Sequence, residues 1–180
     1  MKKLLLAPLL LSFSALADPT YNANEIEIVG GGITYHLWDG NNYSPYAHAL
    51  TSNGRVILNP LAGVKFEHID KESGTYFSLI GFGGDNSVSQ PIYGGMYSMG
   101  YHYKFVDLGI VGGGYMQDDR PYTAAGFTTI SVGPANNAMV PIVGVEVNFI
   151  IPLDNETYLR QSNIITPAIT NHTIGFGIRF

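Results

Sequence analysis

Along the last residues of the chain, Ile174, Phe176, Ile178 and Phe180 alternate with Thr173, Gly175, Gly177 and Arg179. Successive side chains of an extended chain point to opposite faces, so this segment has one apolar face and one small or polar face. A strand with lipid on one side and a packed polar interior on the other needs that pattern. It recurs where Val143, Val145, Val147, Phe149 and Ile151 alternate with Gly144, Glu146 and Asn148. It recurs again where Tyr93, Tyr97, Met99, Tyr101, Tyr103 and Phe105 oppose Gly94, Met96, Ser98, Gly100, His102 and Lys104. Less regular alternation covers Glu25 to Trp38, Val56 to Ile69, Gly74 to Gly84, Val106 to Gln117 and Tyr122 to Val132. Together these segments predict an all-β chain, an eight-stranded antiparallel up-and-down transmembrane barrel.

An even strand count puts both ends of the barrel on one side, with short turns there and longer loops opposite. Asp70 to Ser73, Phe105 to Asp107 and Gly133 to Ala138 read as the short turns, and Asp39 to Arg55 and Leu153 to Thr170 as long outward loops. An eight-stranded barrel has an interior just wide enough for side chains or one slender ligand. That excludes a general diffusion pore. The inward charges Lys65, Glu67, Lys104, Glu146 and Arg179 are expected to pair with one another in the periplasmic half or near water, because an unpaired charge in a dry interior is costly.

The first residues change the picture by adding a destination. Lys2 and Lys3, the apolar stretch Leu4 to Phe13 and the small-x-small site Ala15-Leu16-Ala17 read as an export signal cleaved before Asp18. The expected organisation is a signal peptide over residues 1–17 and one barrel domain over residues 18–180, in the outer membrane. With no cysteine in the sequence, no disulfide framework closes the fold, and stability must come from strand pairing and packing. Twelve Tyr, 9 Phe and 22 Gly with 13% charged residues suit strands that face lipid. A net charge of -5 gives no basic footprint for nucleic acid.

Motifs for the common chemistries are absent: no G-x-S-x-G elbow, no P-loop, no H-E-x-x-H and no dinucleotide fingerprint opening a helix. The five histidines lack metal-ligand spacing, and neither a metal nor a cofactor is expected. One constellation stands out. His36 falls near the outer end of the first strand, and Asp85-Asn86-Ser87 occupies the next outward loop, after the third strand, so topology puts them on one rim. A His, a hydroxyl and a carboxylate meeting there would make an acyl-transfer site, with His36 as general base for Ser87. Asp, Asn and Ser are also the residues that turns use for local hydrogen bonds.

The order of these segments resembles the lipid A palmitoyltransferase family of small outer-membrane barrels. The matches are the aromatic-His pair Tyr35-His36, the run Asn59-Pro60-Leu61-Ala62-Gly63, and Asp85-Asn86-Ser87 leading to Pro91-Ile92-Tyr93-Gly94. Val106-Asp107-Leu108-Gly109 and the strand from Pro141 to Pro152 are similar to the family's later strands. Two features depart from it: Asp18 to Asn24 is too short for the family's leading amphipathic helix, and Asn86 interrupts its Asp-Ser pair.

The resemblance implies transfer of an acyl chain from an outer-leaflet phospholipid to lipid A, with His36, Asp85 and Ser87 as the catalytic residues. It implies an acyl chain held in the lumen and admitted through the wall, at strand positions weakened by Pro60, Pro91, Pro141 or Pro152, since proline gives the ladder no N–H. Met96 stands where the family has glycine, so the accepted chain should be shorter than palmitate. Arg120 and Arg160, read as outward-loop residues, would meet lipid A phosphates. Phe180 resembles the terminal signal read by the outer-membrane barrel assembly machinery. The expected partners are therefore phospholipid, lipid A and that machinery, with the barrel itself a monomer.

The fold alone equally supports a non-catalytic barrel acting through its surface loops in adhesion, exclusion or membrane integrity. A lipid A deacylase would want His beside Ser on a late strand, and the chain has no His-Ser pair.

Overall fold

The computed structural model describes residues 23–37, 56–85, 91–118, 130–131, 137–167 and 169–180. The export signal, Asn86, Ser87 and Arg120 lie outside the described residues. Ten strand segments follow one another: β1 (Ala23–His36), β2 (Val56–Leu58), β3 (Leu61–Ile69), β4 (Thr75–Asp85), β5 (Pro91–Tyr103), β6 (Val106–Asp118), β7 (Ile130–Ser131), β8 (Asn137–Pro152), β9 (Thr157–Ile165) and β10 (Ile169–Arg179). Eight of them form the wall in the order β10-β9-β8-β6-β5-β4-β3-β1, all antiparallel, and β10 pairs back onto β1 from Glu25↔Arg179 to His36↔Ile169. The wall is a closed eight-stranded barrel. Closure leaves no edge to seek another strand.

The clean alternations fold as the sequence predicts. Ile174, Phe176, Ile178 and Phe180 are exposed on the outside, as are Tyr93, Tyr97, Tyr101 and Tyr103, while Glu146 is buried inside. Beginning at Ala23, β1 rises to the outer end, and β10 returns to the end where the chain began.

Three expectations are corrected. Tyr122 to Val132 does not supply a wall strand; of it the structure describes β7, which pairs with β8 through Ile130↔Met139 and Ser131↔Ala138. The wall position belongs to β9, inside the segment read as a long outward loop from Leu153 to Thr170. Its alternation is disguised by the polar run Arg160-Gln161-Ser162-Asn163, in which both faces carry hydrogen-bonding groups. As a result β8 runs the opposite way from the expected direction: the turn at residues 153–156 is periplasmic, and Ala138, expected to end a periplasmic turn, lies at the outer end of β8. Third, Lys104 does not point inward. It is exposed in the β5–β6 turn at a φ of 55°, with its Nζ 5.4 Å from the Tyr103 ring centroid.

The strand expected over Val56 to Ile69 is broken at Asn59-Pro60 into β2 and β3. The break is bridged by main-chain hydrogen bonds, Asn59 N–H to Gly32 O at 2.7 Å and Asp85 N–H to Pro60 O at 3.2 Å. Gly84 (φ 151°) lies against Pro60 O and Leu61 Cα, so any Cβ there would collide with backbone. A depression of about 460 Å³ opens at this break, lined by Gly31, Leu58, Pro60, Leu61, Ala62 and Gly83 among others.

Candidate functional site

The lumen has two halves of opposite chemistry, and alternation along each strand sets the boundary. On β5 the inward positions from the outer end are Ile92, Gly94, Met96, Ser98, Gly100 and His102. Phe82 and Ile80 precede Ser78 and Tyr76 on β4, and Val140 and Ile142 precede Glu146 and Asn148 on β8. On these three strands the outer half is mostly apolar and the periplasmic half polar, while β1 and β6 bring the buried polar residues Thr34, His36 and Gln117 into the outer half. Met96 is therefore the last apolar inward side chain of β5, on the lumen side as its alternation predicts.

The periplasmic half is filled by a charge network whose hydrogen bonds and ion pairs join seven wall strands, with β4 placed beside it through Tyr76, whose ring centroid lies 6.0 Å from Lys65 Nζ. At its centre is Arg160 on β9, with no exposed surface. Its Nη2 lies 2.6 Å from Glu67 Oε1, 2.8 Å from Glu25 Oε2 and 3.5 Å from Asp107 Oδ2, and its Nη1 lies 2.8 Å from Glu27 Oε2. Glu25 also accepts from Arg179 Nε at 2.6 Å, and Lys65 Nζ lies 2.7 Å from Glu67 Oε2. Tyr76 donates to Glu146, and Tyr158 donates to Glu27 at 3.4 Å. Asp107 is held 2.7 Å from His102 Nδ1 and accepts from Asn148 Nδ2 at 3.4 Å. The guanidinium groups of Arg160 and Arg179 lie 5.0 and 4.9 Å from the Tyr158 ring centroid, stacking that ring as cations on a π face.

Such a network satisfies buried charges that would otherwise be very costly, and a guanidinium serves it well because its planar fork offers several donors at once. Of the pairings expected among Lys65, Glu67, Glu146 and Arg179, Lys65 with Glu67 is present, whereas Arg179 pairs with Glu25, Glu146 accepts from Tyr76, and Lys104 lies outside the lumen. The signal missed in the sequence is Glu25, Glu27, Asp107 and Arg160, each at an inward parity once β9 is recognised.

Arg160 is thus a correction: it was expected in an outward loop facing lipid phosphates, and it lies fully buried in the lumen, its guanidinium committed to protein carboxylates. Arg120 lies outside the described residues. Of the acyl-transfer constellation, His36 is at the outer end of β1 and faces the lumen, buried at 7% exposure. Asp85 ends β4 opposite Pro91, one position beyond the pair Gly84↔Ile92, in which Ile92 faces inward. His36 and Asp85 share the outer end, on β1 and β4, with β3 between those strands in the wall; Ser87 lies outside the described residues. No group of His, Asp and Glu able to hold a metal ion occurs among the described residues.

The outside of the wall is apolar over its middle except at Gln161, with Ile28 at 66%, Val64 at 57%, Ile110 at 59%, Val143 at 67% and Ile174 at 66% exposure. A polar inside and an apolar outside are the inverse of a water-soluble domain, and they make this the wall of a membrane-spanning barrel.

No protein-family model and no curated protein matches the chain. Two solved structures are similar in course. One is the N-terminal β-barrel domain of Pseudomonas aeruginosa OprF, 11% identical with a TM-score of 0.46 over 89% of this chain and 100% of that one. The other is Neisserial surface protein A (NspA), 8% identical with a TM-score of 0.46 over 88% of this chain and 95% of that one. The barrel assignment rests on the chain's own strand pairing, and the resemblance to the lipid A palmitoyltransferase family finds no match among these comparisons.

Proposed function

We propose that the protein is an integral outer-membrane barrel, closed to ions, that works at its outer end. The observation that carries this reading is the network around Arg160, because it joins seven of the eight wall strands across the periplasmic half of the lumen, with the Tyr76–Glu146 pair beside it. A barrel filled in this way has no continuous water path, while its apolar exterior anchors it in lipid. What remains available for function is the outer end, where β1 ends at His36 and β6 at Asp118, each followed by a long stretch of sequence before the next wall strand. The role is then that of a non-catalytic surface protein, acting by adhesion, exclusion or membrane integrity. Fractionation tests the placement: the protein belongs in the outer-membrane fraction and migrates differently on a gel before and after boiling. Soluble periplasmic protein with no boiling-dependent shift would overturn it.

A second reading, acyl transfer to lipid A, is favoured by the apolar outer half of the lumen. Ile80, Phe82, Met96, Tyr115 and Ile142 are only half-buried there, which suits an acyl chain entering from the rim beside His36. Mass spectrometry of lipid A from cells with and without the protein separates the two readings.

A further inference from the structure

Among the described residues, the lipid-facing wall carries one polar stripe away from its ends, and it runs across β9 and β10. Gln161, Asn163, His172 and Thr170 all take outward parity: Gln161 pairs with Phe149 and Ile174, and His172 with Asn163 and Ile33. Other described outward positions away from the strand ends are aliphatic, aromatic, Met, Pro or Gly. The stripe is hydrogen-bonded along its length. Gln161 Nε2 donates to Asn163 Oδ1 at 3.2 Å, His172 Nδ1 lies 2.6 Å from the same oxygen, and His172 Nε2 lies 3.4 Å from Thr170 Oγ1. Asn163 Nδ2 is tied to Val147 O at 2.7 Å.

Gln161 is the deep end of this stripe. It is exposed and pairs with Ile174, the middle residue of β10, and it lies about 16 Å along the strand from the outer turn at Thr166. Exposed Phe149, Leu159 and Ile174 surround it. A lipid headgroup does not reach that depth, and hydrocarbon offers no hydrogen bond to a carboxamide. Gln161 keeps one N–H and its Oε1 unused among the described residues. A carboxamide with one free donor and one free acceptor complements itself through a pair of N–H···O bonds. All copies in a membrane share one orientation, so a two-fold axis along the membrane normal brings Gln161 against its own mate.

We propose that β9 and β10 form a homodimer interface in the membrane, centred on Gln161 and packed by Phe149, Leu159 and Ile174. The interface replaces the monomer expected from sequence, and it rests on the membrane placement proposed above. Polar side chains bridge membrane segments in this way, and flanking apolar side chains supply the packing.

The test uses the full chain in outer-membrane preparations. The protein has no cysteine, so Ile174→Cys introduces a single thiol beside Gln161 and leaves the polar stripe intact. Oxidation should give a disulfide-linked species of twice the mass, whereas Ile110→Cys, on the outside of β6, should give little. Adding Gln161→Leu should reduce the linked fraction about tenfold where dimerisation is not saturated. Leu159→Cys serves the same purpose if Ile174→Cys fails to fold, as read by heat-modifiable migration. The proposal is overturned by no dimer from either position, by equal dimer at Ile110→Cys, by indifference to Gln161→Leu, or by a linked product of another mass. Loss of heat modifiability in the unsubstituted protein would instead locate the failure in the membrane placement.

Discussion

Arg160 on β9 reaches across the lumen to Glu67 on β3, its Nη2 2.6 Å from Glu67 Oε1, and so joins two strands that are not neighbours in the wall. The same guanidinium holds Glu25 and Glu27 of β1. One side chain thereby ties the late hairpin to the first half of the chain.

Replacing Arg160 by Met keeps much of the volume and removes the charge, leaving Glu25, Glu27 and Glu67 crowded and undercompensated. Removing one partner of a buried ion pair costs about 3–5 kcal/mol, and a loss of that size is expected in urea unfolding followed by heat-modifiable gel migration. Arg160→Lys should recover only part, since an ammonium is a point charge without the planar fork.

Gly177 faces inward against the Tyr158 ring, and a Cβ there would run into that ring, which itself is stacked by both Arg160 and Arg179. Gly177→Ala is expected to displace Tyr158 and destabilise the barrel by about 1–3 kcal/mol, as overpacking does. The same unfolding measurement checks it. Gly81, whose Cβ would meet nothing within 4 Å, is the control for a glycine with room to spare.

The periplasmic turn after β8 is fastened by Asp154, whose Oδ1 accepts from Thr157 N–H at 2.7 Å and from Glu156 N–H at 2.8 Å. Hydrogen bonding from Thr157, then Glu156, holds its carboxyl below the ordinary value of 3.8. A depressed carboxyl contributes stability that is fully present above the unfolded value and is lost as pH falls through the lower folded value. Amide exchange at Glu156 and Thr157 should therefore stay protected at neutral pH relative to Asp154→Ala, and the two proteins should converge only below pH 3.8.

If the apolar outer half of the lumen measures an acyl chain, Met96→Gly deepens it by removing the last apolar side chain above Ser98. The expected outcome is a longer acyl group on lipid A from cells carrying the variant. An unchanged acyl profile would reject Met96 as the ruler, and absence of acylation by both versions would reject acyl transfer altogether.

The barrel was legible where lipid faces one side of a strand and small residues the other, as in Tyr93 to Tyr103 or Ile174 to Phe180. It was illegible in β9. There the inward face carries Arg160 for the charge network, and the outward face carries Gln161 and Asn163, so the period of two has no contrast in hydrophobicity to reveal it. The apparent strand at Tyr122 to Val132 then filled the missing place in the count. Lys104 was misplaced because alternation was carried one residue past Tyr103 into a turn that needs a positive φ. Inward parity of Lys65, Glu67, Glu146 and Arg179 could be read directly, but Arg160, the partner of Glu67, could not, since its strand had not been recognised.

The account's central claim is that the charge network seals the lumen. Single-channel recording in planar bilayers tests it most directly, using the refolded, heat-modifiable protein. The account predicts a quiet baseline with no unitary steps. Stable, reproducible conductance steps from the unsubstituted barrel would show a continuous water path past Arg160 and contradict it.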